Sequence, residues 1–425
     1  MRRKQLLRVM VGILAIVAVI LILGTGAQAQ VKYKILHKFK GGADGGDPED
    51  TLTFDASGNL YGTTAGTTYS TVFEMSPNPD GTWTETVLYT FNGENDPSSV
   101  RASVILDASG NMYGTSVGGG DYGNGTVWQL SPSSGGTWTE TILDSFTDGS
   151  DGGWLVGGLI FDPAGNLYGA ASHGGAYGMG VVFELTPNSD GTWTENELYS
   201  FTGGMDGAGP DHPNLVFDSA GNLYGVTVGG GEGTCSFIFW SQCGVVYELT
   251  PNGDGTWTES VLYRFTGGKD GGQPESTLTW DAAGNLYGTA MTGGAYGYGV
   301  VFKLTLGSGG IWAEKVLHHF KGGTDGANPI GGVVFDAAGN LYGTTEAGGG
   351  RGSCTNWFGW PGCGTVFELT PNSQGRWTER VLHRFQGGLN APFGVVVLDE
   401  AGNLYGTASG ETGSSGHGGV FEITP

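Results

Sequence analysis

The chain has 425 residues, a formal charge of −23, 84 glycines, 12% aromatic residues and only 14% charged ones. Such an acidic balance argues against nucleic acid and acidic polysaccharide as partners, and leaves cations, neutral glycans or proteins. Abundant glycine beside many aromatics, with no Gly-x-y period, points away from collagen and disorder and toward a turn-dense all-β protein.

The N-terminus reads M-R-R-K-Q-L-L-R, then an apolar run from Val9 to Leu23, then G-T-G-A-Q-A-Q. This is the pattern of a signal peptide, residues 1–29, cut after Ala29. The alternative is an uncleaved anchor, for which the run is shorter than the ~20 residues a spanning helix needs. Cleavage leaves 14 basic residues against 41 acidic ones, a mature charge of −27. The expectation is a secreted monomer in the periplasm, at the cell surface or outside the cell, with no transmembrane segment after cleavage.

From Asp55 onward the stretch D-A-A-G-N-L-Y-G recurs with small variations, beginning at Asp55, Asp107, Asp162, Asp218, Asp281, Asp336 and Asp399. The spacings of 52, 55, 56, 63, 55 and 63 residues belong to an array or a propeller. Each period holds four strand-like runs, in the third G-G-L-I-F-D, N-L-Y-G-A-A, G-V-V-F-E-L-T-P and W-T-E-N-E-L-Y-S-F. Four antiparallel strands, here named a to d, make one propeller blade. Gly-Asn supplies the a-to-b hairpin turn, and Asp-Gly in N-P-D-G-T-W and its relatives supplies the c-to-d turn.

Strand d starts only six times, at Trp83, Trp138, Trp193, Trp257, Trp312 and Trp377, and the last unit stops after strand c at Pro425. The seventh copy is at the other end: Tyr33 to Phe39, followed by K-G-G-A-D-G, aligns with V-L-H-H-F-K-G-G-T-D-G from Val316. The spacing therefore predicts a seven-bladed β-propeller over residues 30–425 with four-stranded antiparallel blades, closed by N-terminal strand 31–39. Closure removes the exposed sheet edge. A solenoid is the alternative, and it needs no such permutation.

The runs G-G-A-Y-G-x-G-V-V-F-E-L-T-P, V-L-Y-x-F-T-G-G-x-D-G and D-A-A-G-N-L-Y-G-T-T resemble the GloVer (Gloeo_Verruco) repeat of exported bacterial proteins known as choice-of-anchor GloVer-containing proteins. The resemblance covers essentially the whole mature chain. It implies export and surface attachment through a variable C-terminal module, and carries no established activity or catalytic residue. Here Pro425 follows the last strand with no sorting tail, which puts anchoring in question. More distantly, D-x-x-G-N-L-Y is similar to the blade motif of NHL-type and gluconolactonase-type propellers.

Alternating strand directions place the d-to-a and b-to-c connections on one face, called the top, and the faithful turns D-A-A-G-N and D-G-T-W on the other. Function is expected in the irregular top loops. Cys235 with Cys243 and Cys354 with Cys363 read as short-loop disulfides in an exported chain. Their loops carry Phe237, Phe239 and Trp240 in blade four and Trp357, Phe358 and Trp360 in blade six. These aromatics are either a stacking platform for sugar or protein or the packing of the loops onto the ring. Tyr122, Tyr177 and Tyr296 occupy the shorter b-to-c loops, where packing between neighbouring blades competes with a glycan-binding ring at the channel mouth.

Six residues before each motif Asp the repeats disagree, with Glu49, Arg101, Val156, His212, Glu275, Ile330 and Phe393. Glu49, Arg101, His212 and Glu275 are the candidate polar mouth, against the alternative of solvated loop residues. Aspartates of the T-G-G-x-D-G connections could hold calcium, or could simply form turns. Too few arginines reach the top face for a sialidase clamp. The expected function is non-catalytic binding of a neutral glycan or a protein. The alternatives are a carbohydrate-active or lactone-hydrolysing enzyme with a cation at the channel mouth, and a purely structural repeat protein.

Overall fold

The computed structural model describes residues 30–66, 69–92, 95–211, 215–235, 240–350, 354–355, 359–387, 389–410 and 416–425. The signal-like stretch lies outside them. Among the described residues no helix is long and apolar enough to cross a membrane. The strands form seven four-stranded sheets. In the third blade they are Ile160–Phe161, Leu167–Ala171, Val181–Pro187 and Trp193–Ser200, paired antiparallel in that order. The seventh sheet runs Lys32–Lys38, Gly419–Thr424, Leu404–Ala408, Val397–Leu398, with Tyr33 opposite Ile423. The chain is thus the expected seven-bladed propeller, closed by its N-terminal strand.

The repeated motif is a self-contained hydrogen-bonded turn. Asp55 Oδ1 accepts the N–H groups of Ser57 and Asn59 at 2.8 and 2.9 Å. Its Oδ2 accepts the Asn59 amide at 2.9 Å and the Tyr61 hydroxyl at 3.3 Å. Gly58 sits between them at φ 84°, a backbone that favours glycine. The Asn amide and Tyr hydroxyl meet the motif Asp again in every other blade. Burial works to raise the pKa of Asp55, Asp107, Asp218, Asp281 and Asp336, but these donors outweigh it and the carboxyls end below the ordinary aspartate range.

Blades meet through a second repeated contact. The aromatic after strand d lies against the strand-c aromatic of the next blade at all seven junctions, from Phe39 on Phe73 and Phe91 on Trp128 to Phe385 on Phe421. Ring centroids there are 5.1, 5.1 and 5.2 Å apart in those three pairs. The strand-c ring in turn covers the glycine of L-Y-G. A Cβ on Gly114 would stand 2.3 Å from the Trp128 ring, so only glycine fits. Motif tyrosines add edge contacts to strand a of the next blade, as Tyr113 does on Phe161 at 5.2 Å. The closing junction is also hydrogen-bonded: Thr407 Oγ1 donates to the Asp50 carbonyl at 2.8 Å and Val395 N–H to Thr51 Oγ1 at 3.0 Å.

Two outcomes follow from these contacts. Deleting Val31 to Phe39 strips blade seven of its outer strand and should abolish the single cooperative melt followed by calorimetry; a truncated chain that melts as sharply as the intact one contradicts closure. Replacing Asp281 by Ala leaves several donors without their acceptor and should cost about 1–3 kcal/mol in urea unfolding. Because Asp55, Asp107, Asp218, Asp281 and Asp336 titrate low in the fold, their contribution is present above about pH 4 and is lost as pH falls through their folded values.

Candidate functional site

On the top face, the residue eight before the motif Asp adopts a left-handed backbone: Asp47 (φ 53°), Ser99 (52°), Trp154 (59°), Gln273 (55°), Asn328 (56°) and Ala391 (43°). Blade four uses Gly209 at 57° in the equivalent place. Hydrogen bonds on both sides impose this. The N–H donates to a b-to-c loop carbonyl of the preceding blade, as Trp154 does to Asn124 at 2.8 Å and Gln273 to Cys243 at 2.7 Å. The carbonyl accepts the N–H that ends strand b of its own blade, as Trp154 does from Ser172 at 3.2 Å. The conformation costs an L-residue roughly 1–2 kcal/mol, and a bulky side chain in it is an outlier. Strain of this kind gathers at functional positions.

Trp154 is that outlier, and its side chain is open to solvent, with the residue 44% exposed. Its ring lies 4.6 Å from that of His173, and His173 lies 6.5 Å from Trp240. Ser172 Oγ fixes the turn, donating to the Trp154 carbonyl at 3.0 Å and standing 3.1 Å from His173 Nδ1. Trp240 comes from the disulfide loop of blade four and covers bare backbone. A Cβ on Gly209 or Gly229 would stand 2.5 or 2.8 Å from its ring. The side chain missing at Gly209 is thus replaced by an indole from another loop. The Cys235–Cys243 bond seats that loop on the next connection, where a Cβ on Gly267 or Gly272 would meet Cys235 Sγ at 2.5 or 2.7 Å. The result is that His173 neighbours both Trp154 and Trp240, tilted to each, across blades three and four.

The remaining expected residues scatter. Cys354–Cys363 is formed, and Trp360 is half-buried with its ring edge-on to Tyr298 at 5.2 Å, so it packs blade six on blade five. Phe237, Phe239, Trp357, Phe358 and His212 lie outside the described residues. Tyr122, Tyr177 and Tyr296 are 61, 60 and 55% exposed, which corrects the expectation that they pack between blades. They also stand away from the channel mouth. The N–H groups just before them, on Asp121, Ala176 and Ala295, bond Ser145, Ser200 and His319 at the end of the outermost strand, which sets the tyrosines on the outer rim.

Glu49 is ion-paired with Arg101 at 3.2 Å, one blade on, whereas Glu275 is buried in blade five. Aspartates of the d-to-a connections close their own turns: Asp206 and Asp270 each accept the N–H four residues earlier at 2.8 Å. Among the described residues, the one group of three side chains placed to hold a metal is His37, Asp44 and Glu85, at the junction of blades seven and one.

Sequence reasoning overlooked Trp154. Aligning the repeats eight residues before the motif Asp instead of six exposes the signal, because Asp, Ser, Trp, Gln, Asn and Ala alternate there and most are followed by proline.

The chain belongs to the Gloeobacter/Verrucomicrobia repeat family, which matches residues 25–239 and 232–425. Its ring is shared with virginiamycin B lyase from Staphylococcus aureus, solved as a catalytically inactive variant with quinupristin. Identity to it is 14%, over 93% of this chain and 99% of that one, at a TM-score of 0.55. A streptogramin B lyase is similar at 13% identity, 94% and 99% coverage and a TM-score of 0.53. An ancestral GH74 enzyme aligns at 12% identity over 89% of this chain and 51% of that one, with a TM-score of 0.51. No curated protein matches. At these identities the likeness defines the propeller and not its chemistry.

Trp154→Gly removes the strained residue while keeping both backbone hydrogen bonds. The variant should unfold at equal or higher urea concentration, by up to about 1 kcal/mol. A clear loss of stability would assign Trp154 to packing instead of a site.

Proposed function

We propose that this propeller is a non-catalytic binding protein that holds a neutral glycan on its top face, across blades three and four. The observation that carries this reading is Trp154: a large apolar ring held open to solvent, in a backbone conformation that disfavours it, next to His173, which in turn neighbours Trp240. Indole faces suit the apolar faces of sugar rings, and their fixed geometry loses little entropy on binding. The strong negative charge disfavours anionic polymers. Two disulfides agree with an oxidising, extracytoplasmic setting, which is where such ligands are met.

A cation-centred enzyme at the channel mouth is less well supported. It needs Glu49 and Glu275 with His212, but the Glu49 carboxylate faces the Arg101 guanidinium and Glu275 is buried in blade five.

Titrating the mature chain with a panel of neutral oligosaccharides should give saturable binding to at least one. Trp154→Ala and Trp240→Ala should each weaken it at least about tenfold, which is 1.4 kcal/mol. Binding that survives both changes, or a panel with no binder, contradicts this reading.

A further inference from the structure

Six of the seven outer strands open Trp-Thr-Glu or a close relative, and in the third blade the first three residues alternate half-buried, exposed, half-buried. The glutamate therefore faces the preceding blade together with the tryptophan. Six junctions repeat this, with Glu85, Glu140, Glu195, Glu259, Glu314 and Glu379, and in each the Oε1 atom is buried with no hydrogen-bond partner. The d-to-a turn of the preceding blade brings the negative charge of an aspartate near each: Asp44, Asp96, Asp151, Asp206, Asp270 or Asp325.

The two carboxyls of a junction are not equivalent, because the donors go to the aspartate. Asp206 accepts Thr202 N–H at 2.8 Å, Thr202 Oγ1 at 2.5 Å and the Tyr199 hydroxyl at 3.0 Å. Asp270 is held in the same way by Thr266 and Tyr263. These donors hold the Asp206 carboxyl below the ordinary aspartate range against its desolvation, whereas a glutamate left half-buried without donors favours its neutral form. The seventh junction is the internal control. There Tyr33 takes the glutamate's register position opposite Ile423 and stacks on His383 at 3.6 Å, while the turn carries Leu389 and Asn390 in place of the aspartate. Both carboxyls are lost together, as expected if they work as a pair.

Setting aside Glu85, which stands with His37 and Asp44 in the metal-sized group, we propose that the ring stores protons at five of its blade junctions, each on a strand-d glutamate buried without a donor at Oε1, so that the fold is tightest in a mildly acidic medium and loosens as the pH rises to neutrality. Desolvation comes first, followed by the charge of Asp206, Asp270 and Asp325 for Glu259, Glu314 and Glu379 and of Asp144 ahead of Asp151 for Glu195; together these push the four glutamates up to about 7, and Glu140 shifts the same way. Other groups face the pairs and grade them. Asp144 and Glu197 add negative charge beside Glu195. Arg264 beside Glu259, and His318, Lys321 and Arg384 beside Glu379 offset part of the effect. The Tyr89 hydroxyl donates to Glu140 Oε2 at 3.2 Å. The folded chain thus binds more protons than the unfolded chain between about pH 4.5 and 7, and stability must fall as pH rises through that window.

The test is the melting temperature of the mature, disulfide-intact chain from pH 5 to 8.5, beside a variant carrying Glu195→Gln, Glu259→Gln, Glu314→Gln and Glu379→Gln. Glutamine imitates the protonated acid, so the variant should fold, show a flatter profile and melt above the parent at pH 8. The infrared band of protonated carboxyl groups should be present in the parent at pH 6 and weakened in the variant. Should the variant fail to fold, the parent's band and pH profile decide alone. A parent profile that is level or rises from pH 5 to 7.5, a variant that keeps the parent's slope, or a parent with no protonated-carboxyl band at pH 6 overturns the proposal.

Discussion

An aromatic ring lying on the next blade's aromatic ring, which itself lies on glycine, is the contact on which the rest of this protein depends. It occurs at every junction, from Phe39 on Phe73 over Gly62 round to Phe385 on Phe421 over Gly406. A ring over glycine brings neighbouring sheets closer than any side chain at that position would permit, and interiors packed in this way admit few voids. No blade can supply this contact for itself, since each gives its strand-d ring to the next blade and receives one from the blade before. The array is stable only as a closed circle, and Lys32–Lys38 belongs to blade seven for that reason.

Two populations of carboxyl groups sit on this framework and answer to pH in opposite directions. The motif aspartates are surrounded by donors, and Asp55, Asp107, Asp218, Asp281 and Asp336 titrate low, so those five favour the fold above the acid range. The junction glutamates lack donors at Oε1 and face another carboxyl, so they favour the fold below neutrality. Their joint effect is a stability maximum on the acid side of neutral for a chain that carries a large negative charge.

The fold was legible because its determinants are local and repeated. Asp, Gly, Asn and Tyr at fixed offsets form one turn by themselves, and counting strand d against the motif revealed which end closes the ring. The site was much less legible. Trp154 acquires its meaning from a backbone conformation imposed by Asn124 in one blade and Ser172 in its own. Trp240 acquires its place from two glycines, one of them in the strained ring of positions. Neither relation is a spacing. The rim tyrosines misled for the same reason: their repetition suggested packing, but it reflects the loop's attachment to the outer strand. The junction glutamates were visible as charges on the inward side of an alternating strand, but their partners lie one blade away.

The central claim is that function sits where the repeat breaks on the top face of blades three and four, while the repeated turns and junctions serve as scaffold. Amide hydrogen exchange of the mature chain, with and without a saturating neutral oligosaccharide, tests it most directly. The account predicts added protection at 153–155 and 172–174 and in the disulfide loop around Trp240, with the bottom turns unchanged. Protection confined to the bottom turns, or to the rim around Tyr122, Tyr177 and Tyr296, would contradict it.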